Sequence, residues 1–85
     1  MINALTNLPY SGENATLLMS SGFEDPRFVT FAQARKMGRK VKKGSKGIGL
    51  RRIVEVNQMN PKTNRLERVK RPRFFTVFNW SQTEG

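Results

Sequence analysis

Residues 48–56 and 66–80 set apolar side chains at a period of two, with interruptions, on either side of Asn60-Pro61-Lys62-Thr63-Asn64, and no other feature restricts the fold as much. A period of two reads as strand, and the Asn- and Pro-rich segment between reads as a turn. On the first strand Ile48, Leu50, Val54 and Val56 share one face, with Arg52 interrupting, while Arg51, Ile53 and Glu55 take the other. On the return strand, from Leu66 to Trp80, Phe75 and Val77 share one face and Phe74, Phe78 and Trp80 the other. Pro72 has no N–H to donate, so it calls for an edge position or a bulge. The simplest arrangement is a long antiparallel hairpin whose apolar face needs a cover.

The first half of the chain supplies that cover. Ala15, Leu17, Leu18 and Met19 cluster at helical spacing after a turn at Pro9 to Gly12, and Gly22 stops the run. Asp25 precedes a proline, which pushes it out of the helical region and keeps Phe23-Glu24-Asp25-Pro26 extended or turned. Thr30-Phe31-Ala32-Gln33 spells a capping box, and Gly38 stands where a left-handed C-cap belongs, so a two-turn helix is expected from Phe31 to Met37. Arg35 and Lys36 in its last turn suit the helix dipole as well as they would suit a ligand. The expected fold is α+β: short N-terminal helices on a small antiparallel sheet dominated by the hairpin, in a single domain over residues 1–85. A chain of this size buries only about 60 to 65% of its unfolded surface, so a thin core and mobile ends are expected.

Charge is distributed unevenly. Residues 1–34 carry one base and three acids, residues 35–73 carry fifteen bases and two acids, and the last twelve carry only Glu84. Arg35 to Arg52 reads RKMGRKVKKGSKGIGLRR, with nine bases, four glycines and no acid. A net charge of +10 on a body this small favours a polyanionic partner. The chain has no Cys and no His, which excludes disulfides, thiolate nucleophiles, ordinary zinc sites and catalytic triads. Its acids are not spaced for a shared pair of metals, and no cofactor or enzymatic reaction is expected. The N-terminus lacks the features of a signal peptide and no segment is apolar for long enough to span a bilayer, so the chain is expected to be soluble and cytoplasmic.

Lys43-Gly44-Ser45-Lys46-Gly47 invites comparison with phosphate loops. It is not a Walker A loop, because the required upstream glycine is missing and a strand follows in place of a helix. Gly44-Ser45-Lys46-Gly47 spells the GXXG of KH domains, but that loop joins two helices. A tight turn feeding a strand is the plainer reading, and its glycine N–H groups between Lys43 and Lys46 can still receive a phosphate. Phe75 and Phe78 read as core. Phe74 and Trp80 read as candidates for base stacking, on a sheet whose neighbouring strand presents Arg51. With the only basic helix two turns long, a single-strand platform is favoured over a helix in the duplex major groove.

Pro9-Tyr10-Ser11-Gly12-Glu13-Asn14, Asp25-Pro26-Arg27-Phe28-Val29-Thr30-Phe31 with Gln33-Ala34, then Gly38, Val41, Lys43-Gly44 and Lys46-Gly47, and finally Phe75-Thr76-Val77-Phe78-Asn79 with Gln82-Thr83-Glu84-Gly85 occur in a telling order. From about Leu8 to Gly85 the chain resembles the N-terminal domain of ArdC-type antirestriction proteins, a domain that also begins TraC-type plasmid DNA primases. The resemblance implies a module that binds single-stranded DNA in plasmids, phages and related mobile elements. Family members usually continue into a metallopeptidase-like or primase domain, and residues 1–85 hold neither. Glu13, Phe28 and Trp80-Ser81 depart from the residues usual there. Proteins that mimic DNA to block restriction enzymes are acidic, so a protective role here would come from covering DNA or touching the enzyme.

On this reading Arg39, Lys40, Lys42, Lys43, Lys46, Arg51 and Arg73 line a track for the phosphodiester backbone, and Tyr10, Phe74 or Trp80 stacks on bases. Tyr10 is equally a core plug, and Asn14 is either a helix N-cap or a contact to a base. The competing readings are RNA or duplex binding without sequence preference, and a basic interaction module for an acidic protein partner.

Overall fold

The computed structural model describes all residues from Met1 to Gly85. Its elements in order are β1 (Ile2–Asn3), α1 (Gly12–Met19), β2 (Arg27–Thr30), α2 (Phe31–Lys36), β3 (Lys40–Val41), β4 (Ile48–Asn60), β5 (Arg65–Asn79), a 3-10 turn (Trp80–Gln82) and β6 (Thr83–Glu84). Four strands form one sheet in the order β1-β2-β5-β4, and β3 pairs with β6 in a second, two-stranded sheet. The larger sheet is mixed and not antiparallel throughout, because β1 runs parallel to β2. Both termini are tied into strands, contrary to the expectation of loose ends.

The capping box forms as the sequence dictates: Thr30 Oγ1 accepts from the Gln33 N–H, and Gln33 Oε1 accepts from the Thr30 N–H. α2 ends in a Schellman motif, with the Gly38 N–H donating to the Arg35 carbonyl and the Arg39 N–H to the Ala34 carbonyl. Gly38 takes φ +74° there, a conformation an L side chain would resist. α1 has no side-chain cap at Ser11. Of its apolar residues only Leu18 is fully buried, while Leu17 and Met19 are exposed, so the cluster read from sequence covers the sheet along a narrower line than expected.

β4 and β5 pair one-to-one from Ile48 opposite Val77 to Asn60 opposite Arg65, with no bulge. Pro72 sits opposite Ile53, beyond the point where β2 leaves β5. Its missing N–H therefore faces an unpaired edge and interrupts nothing. Opposite residues share a face. One face, the core face, carries Ile48–Val77 and Leu50–Phe75, and further out Arg52–Arg73, Val54–Arg71 and Val56–Val69. The other, the open face, carries Gly49–Thr76, Arg51–Phe74, Ile53–Pro72 and Glu55–Lys70.

The core sits at the base of this ribbon. Leu18, Phe28, Leu50 and Val77 form the buried cluster, with Tyr10 and Phe23 edge-on to Phe28 at centroid distances of 6.5 and 6.1 Å. Phe28 and Val29 are neighbours on β2 and both fully buried, so β2 is covered on both faces. Toward its tip the ribbon leaves the core, and the molecule measures 51 × 26 × 24 Å. Helices thus cover only the base of the apolar face. Ile53, Met59, Leu66 and Phe74 stay exposed on the open face.

Candidate nucleic-acid interface

The structure sorts the residues singled out by sequence into three places. The first is the small sheet and its loop. Arg39 donates from Nε to Thr83 Oγ1 at 2.8 Å and from Nη2 to the Thr83 carbonyl at 2.9 Å, and its Cζ lies 4.2 Å from the centre of the Trp80 ring. The Arg27 Cζ lies 4.9 Å from the same ring. Trp80 is half-buried in the 3-10 turn beyond β5, with two guanidinium groups packed on its ring. Arg39 and Trp80 therefore help hold β6 and the C-terminal turn together, a structural role that the sequence reading did not assign to them. Lys40 pairs with Glu84 at 3.8 Å, and Lys42 Nζ donates to the Ser81 carbonyl. Lys43 and Lys46 remain exposed and without acidic partners, in a loop that turns at Gly44 with φ +84°.

The second place is the open face. Arg51 stands opposite Phe74, which is 76% exposed, and Arg51 Nη2 reaches Glu13 Oε2 at 3.2 Å. Beside them lies Gly49, whose φ is not in the left-handed region and above which nothing lies within 4 Å. Neither strain nor crowding inside the chain requires glycine there, and a bare strand glycine admits close approach of a ligand. Gly47 is different, since a Cβ there would collide with Thr76 Cγ2 and press on the Phe78 ring. Asn14 sits at the margin of this face. Its Nδ2 donates to the Arg51 carbonyl at 2.8 Å and its Oδ1 accepts from the Arg51 N–H at 3.3 Å. Both polar atoms bond the edge of β4, so Asn14 is not the helix cap; Nδ2 keeps a second hydrogen and Oδ1 a second lone pair.

The third place is a groove of about 1020 Å³ between the N-terminal loop and the core face. Arg52 and Arg73 oppose each other on its wall, both exposed and neither in an ion pair. Like charges directly opposite are destabilising in a sheet. Tyr10 lines the groove as a half-buried plug whose hydroxyl accepts from Asn3 Nδ2 at 3.1 Å, and burial raises its pKa above the ordinary tyrosine value. Arg52, Asn3 and Gln33 line the groove too, and none was singled out from sequence for binding. The signal for Arg52 was its interruption of the apolar alternation, which takes meaning only once the register sets it against Arg73.

Across the surface, Arg27, Lys40, Arg51 and Arg68 are the bases in ion pairs, which leaves twelve of sixteen without an acid. The Arg27 guanidinium, hydrogen-bonded to Asp25 at 2.8 Å, holds that carboxyl below the usual carboxylate range. Asn79, fully buried, donates to the carbonyls of Asp25 and Arg27, and Gln82 donates to the carbonyl of Lys46. The stretches around Asp25, Lys46 and Asn79 thus meet in space.

The family model described as the N-terminal domain of anti-restriction factor ArdC matches residues 1–78. The chain belongs to this family. Two relatives, both DNA primase TraC of Escherichia coli, are 31% identical over 102 aligned residues, covering 99% of this chain. This chain spans 10% of the length of one and 7% of the other. The metal-free crystal structure of antirestriction protein ArdC from plasmid R388 shares the fold with a TM-score of 0.89 at 24% identity, over 99% of this chain and 32% of that one. Its Mn(II)-bound structure gives 0.77 at 23% identity, over 99% and 34%. Most of the motifs quoted from the sequence build the base of the domain. The exposed ribbon carries few of them. No helix here is long and apolar enough to cross a membrane.

Proposed function

We propose that this ArdC N-terminal domain binds single-stranded DNA without reading its sequence, carries out no reaction of its own, and serves to cover or escort DNA of a plasmid, phage or other mobile element. The observation that carries the reading is the Arg51–Phe74 pair on the open face: an exposed ring directly opposite an arginine, flanked by the bare backbone of Gly49. A base stacks on such a ring whatever its identity, while phosphates follow the charge, and each stack contributes about 1–3 kcal/mol. Twelve unpaired cations supply the field that draws a polyanion. Two relatives are named DNA primase, which makes DNA the natural polyanion.

A second reading has its own support. A two-stranded ribbon fits the major groove of duplex DNA, and β5 carries Arg65, Arg68, Lys70 and Arg71 toward the tip. Exposed Phe74, Ile53 and Pro72 favour bases over a phosphate-lined groove, and so favour the single strand.

Anisotropy of labelled oligo-dT, a matched duplex and an RNA at two salt concentrations separates the readings. With about five phosphates engaged, single-strand affinity falls roughly a hundredfold between about 50 and 200 mM salt. Equal or tighter duplex binding overturns the single-strand reading, and binding to none of the three points to an acidic protein partner.

A further inference from the structure

The groove on the core face has a lopsided hydrogen-bonding character. Asn3 Oδ1 accepts from the N–H groups of Leu5 and Thr6, and its amide donates to the Tyr10 oxygen and to Gln33 Oε1. Gln33 Oε1 also accepts from the Thr30 N–H, Thr30 Oγ1 accepts from the Gln33 N–H, and Thr6 Oγ1 accepts from the Leu8 N–H. These bonds fix the orientation of both amides and fill the acceptor sites of Asn3 Oδ1 and Gln33 Oε1, with one more accepted on each hydroxyl. The hydroxyls of Tyr10, Thr30 and Thr6 each keep a hydrogen to donate, and Gln33 Nε2 has no protein partner. Opposite stand Arg52 and Arg73, which can only donate. The one acidic residue on the lining, Glu55, belongs by register to the open face and is engaged there by Arg68 at 3.5 Å.

A cavity that offers donors and two unneutralised guanidinium groups is complementary to an anionic ligand rich in acceptors. We propose that this groove seats a backbone phosphodiester of a bound nucleic-acid strand, with Arg52 and Arg73 gripping the non-bridging oxygens and Gln33 and Tyr10 completing the contacts. Phe75 and the Tyr10 ring give the attached sugar an apolar floor. The carrier of the phosphate rests on the nucleic-acid reading above; the preference for a phosphate group does not. The site is separate from the Arg51–Phe74 platform, because Arg51 and Arg52 are consecutive and project to opposite faces of the ribbon.

The test follows the Gln33 side-chain amide, the arginine Nε signals and the Phe74 ring by NMR in the full chain. The probes are inorganic phosphate, a short oligo-dT with a free 5′-hydroxyl, and the same oligonucleotide with a 5′-phosphate. Both oligonucleotides are expected to shift Gln33, Arg52 and Arg73 equally, and inorganic phosphate to shift the same signals more weakly. The double variant Arg52→Gln/Arg73→Gln, at exposed positions, should abolish those shifts and lower the salt slope of oligo-dT binding by about 0.7, the share of one single-strand phosphate. Movement of Phe74 without Gln33 would overturn the groove while leaving DNA binding intact. Shifts from the 5′-phosphorylated probe alone would replace the diester with a terminal phosphate. Silence toward both oligonucleotides overturns the diester and the DNA reading together, even if inorganic phosphate still binds.

Discussion

Asn14 meets Arg51 as the peptide of a neighbouring strand would, donating to its carbonyl and accepting from its N–H across 37 residues of chain. β4 is an edge strand, and the side-chain amide of α1 stands in for the partner it lacks. The same pair of bonds shows that the backbone groups of Arg51 point away from β5. Arg51–Phe74 is therefore a non-hydrogen-bonded pair, in which facing side chains lie closest. Asn14→Ala should lower stability by about 1–2 kcal/mol, the net worth of two exposed-to-intermediate hydrogen bonds, as read from a urea transition. It should also loosen Arg51 relative to Phe74 and weaken oligo-dT binding.

Phe74 and Trp80 should behave oppositely on truncation. Phe74→Ala removes an exposed ring and is expected to leave the urea midpoint nearly unchanged while weakening oligo-dT binding by about 1–3 kcal/mol, roughly five- to 150-fold. Trp80→Ala removes the ring that Arg27 and Arg39 pack on, so its effect should fall on stability first. A large binding loss in Trp80→Ala with an unchanged urea midpoint would give the stacking role to Trp80.

Much of this was legible in the sequence, and the part that was not has one physical origin. The α2 cap, its Gly38 terminus and the alternation of β4 and β5 rest on residues a few positions apart, so local chemistry announces them. The partners of Asn14, Arg39 and Trp80 lie far away in sequence, and an Asn next to a helix start looks like a cap whatever it later touches. Arg52 reads as a flaw in an apolar face until the register places Arg73 across from it.

The two strand glycines give a paired test. Gly47→Ala drives a methyl into Thr76 and Phe78 and should destabilise the fold. Gly49→Val meets open space and a conformation that any residue adopts, so stability should hold or rise, since valine suits a strand better than glycine. Its branched side chain would cover the backbone beside Phe74, and oligo-dT affinity should drop. Unchanged affinity in Gly49→Val would remove that stretch of β4 from the interface.

Lys43→Gln/Lys46→Gln should weaken binding evenly across DNA sequences and flatten the salt dependence by about 1.4, the share of two single-strand phosphates. Both side chains are exposed and free of acidic partners, so the thermal transition should move little. An unchanged salt slope would take the Gly44 loop out of the site.

The single tyrosine offers a pH test. Burial favours its neutral form, so an absorbance titration near 295 nm should place its midpoint above the free value of 10.0. The folded chain then holds the phenol proton more tightly than the unfolded one. This contribution to stability is full below about pH 10 and declines as pH rises from there through the folded midpoint. A midpoint at or below that of free tyrosine would show Tyr10 to be open to solvent, not a plug beside Phe28.

A ribbon paired one-to-one has no built-in length. Matched residues can be added to or removed from β4 and β5 beside the Lys62 turn without touching Leu18, Phe28, Leu50 or Val77, which sit at the other end. Parity is another matter. A single unmatched residue in either strand would turn the side chains beyond it over, setting Phe74 among the groove arginines or Arg73 on the platform. How far the domain reaches along a bound strand is thus free to drift, while the side from which each part of that strand is held is not.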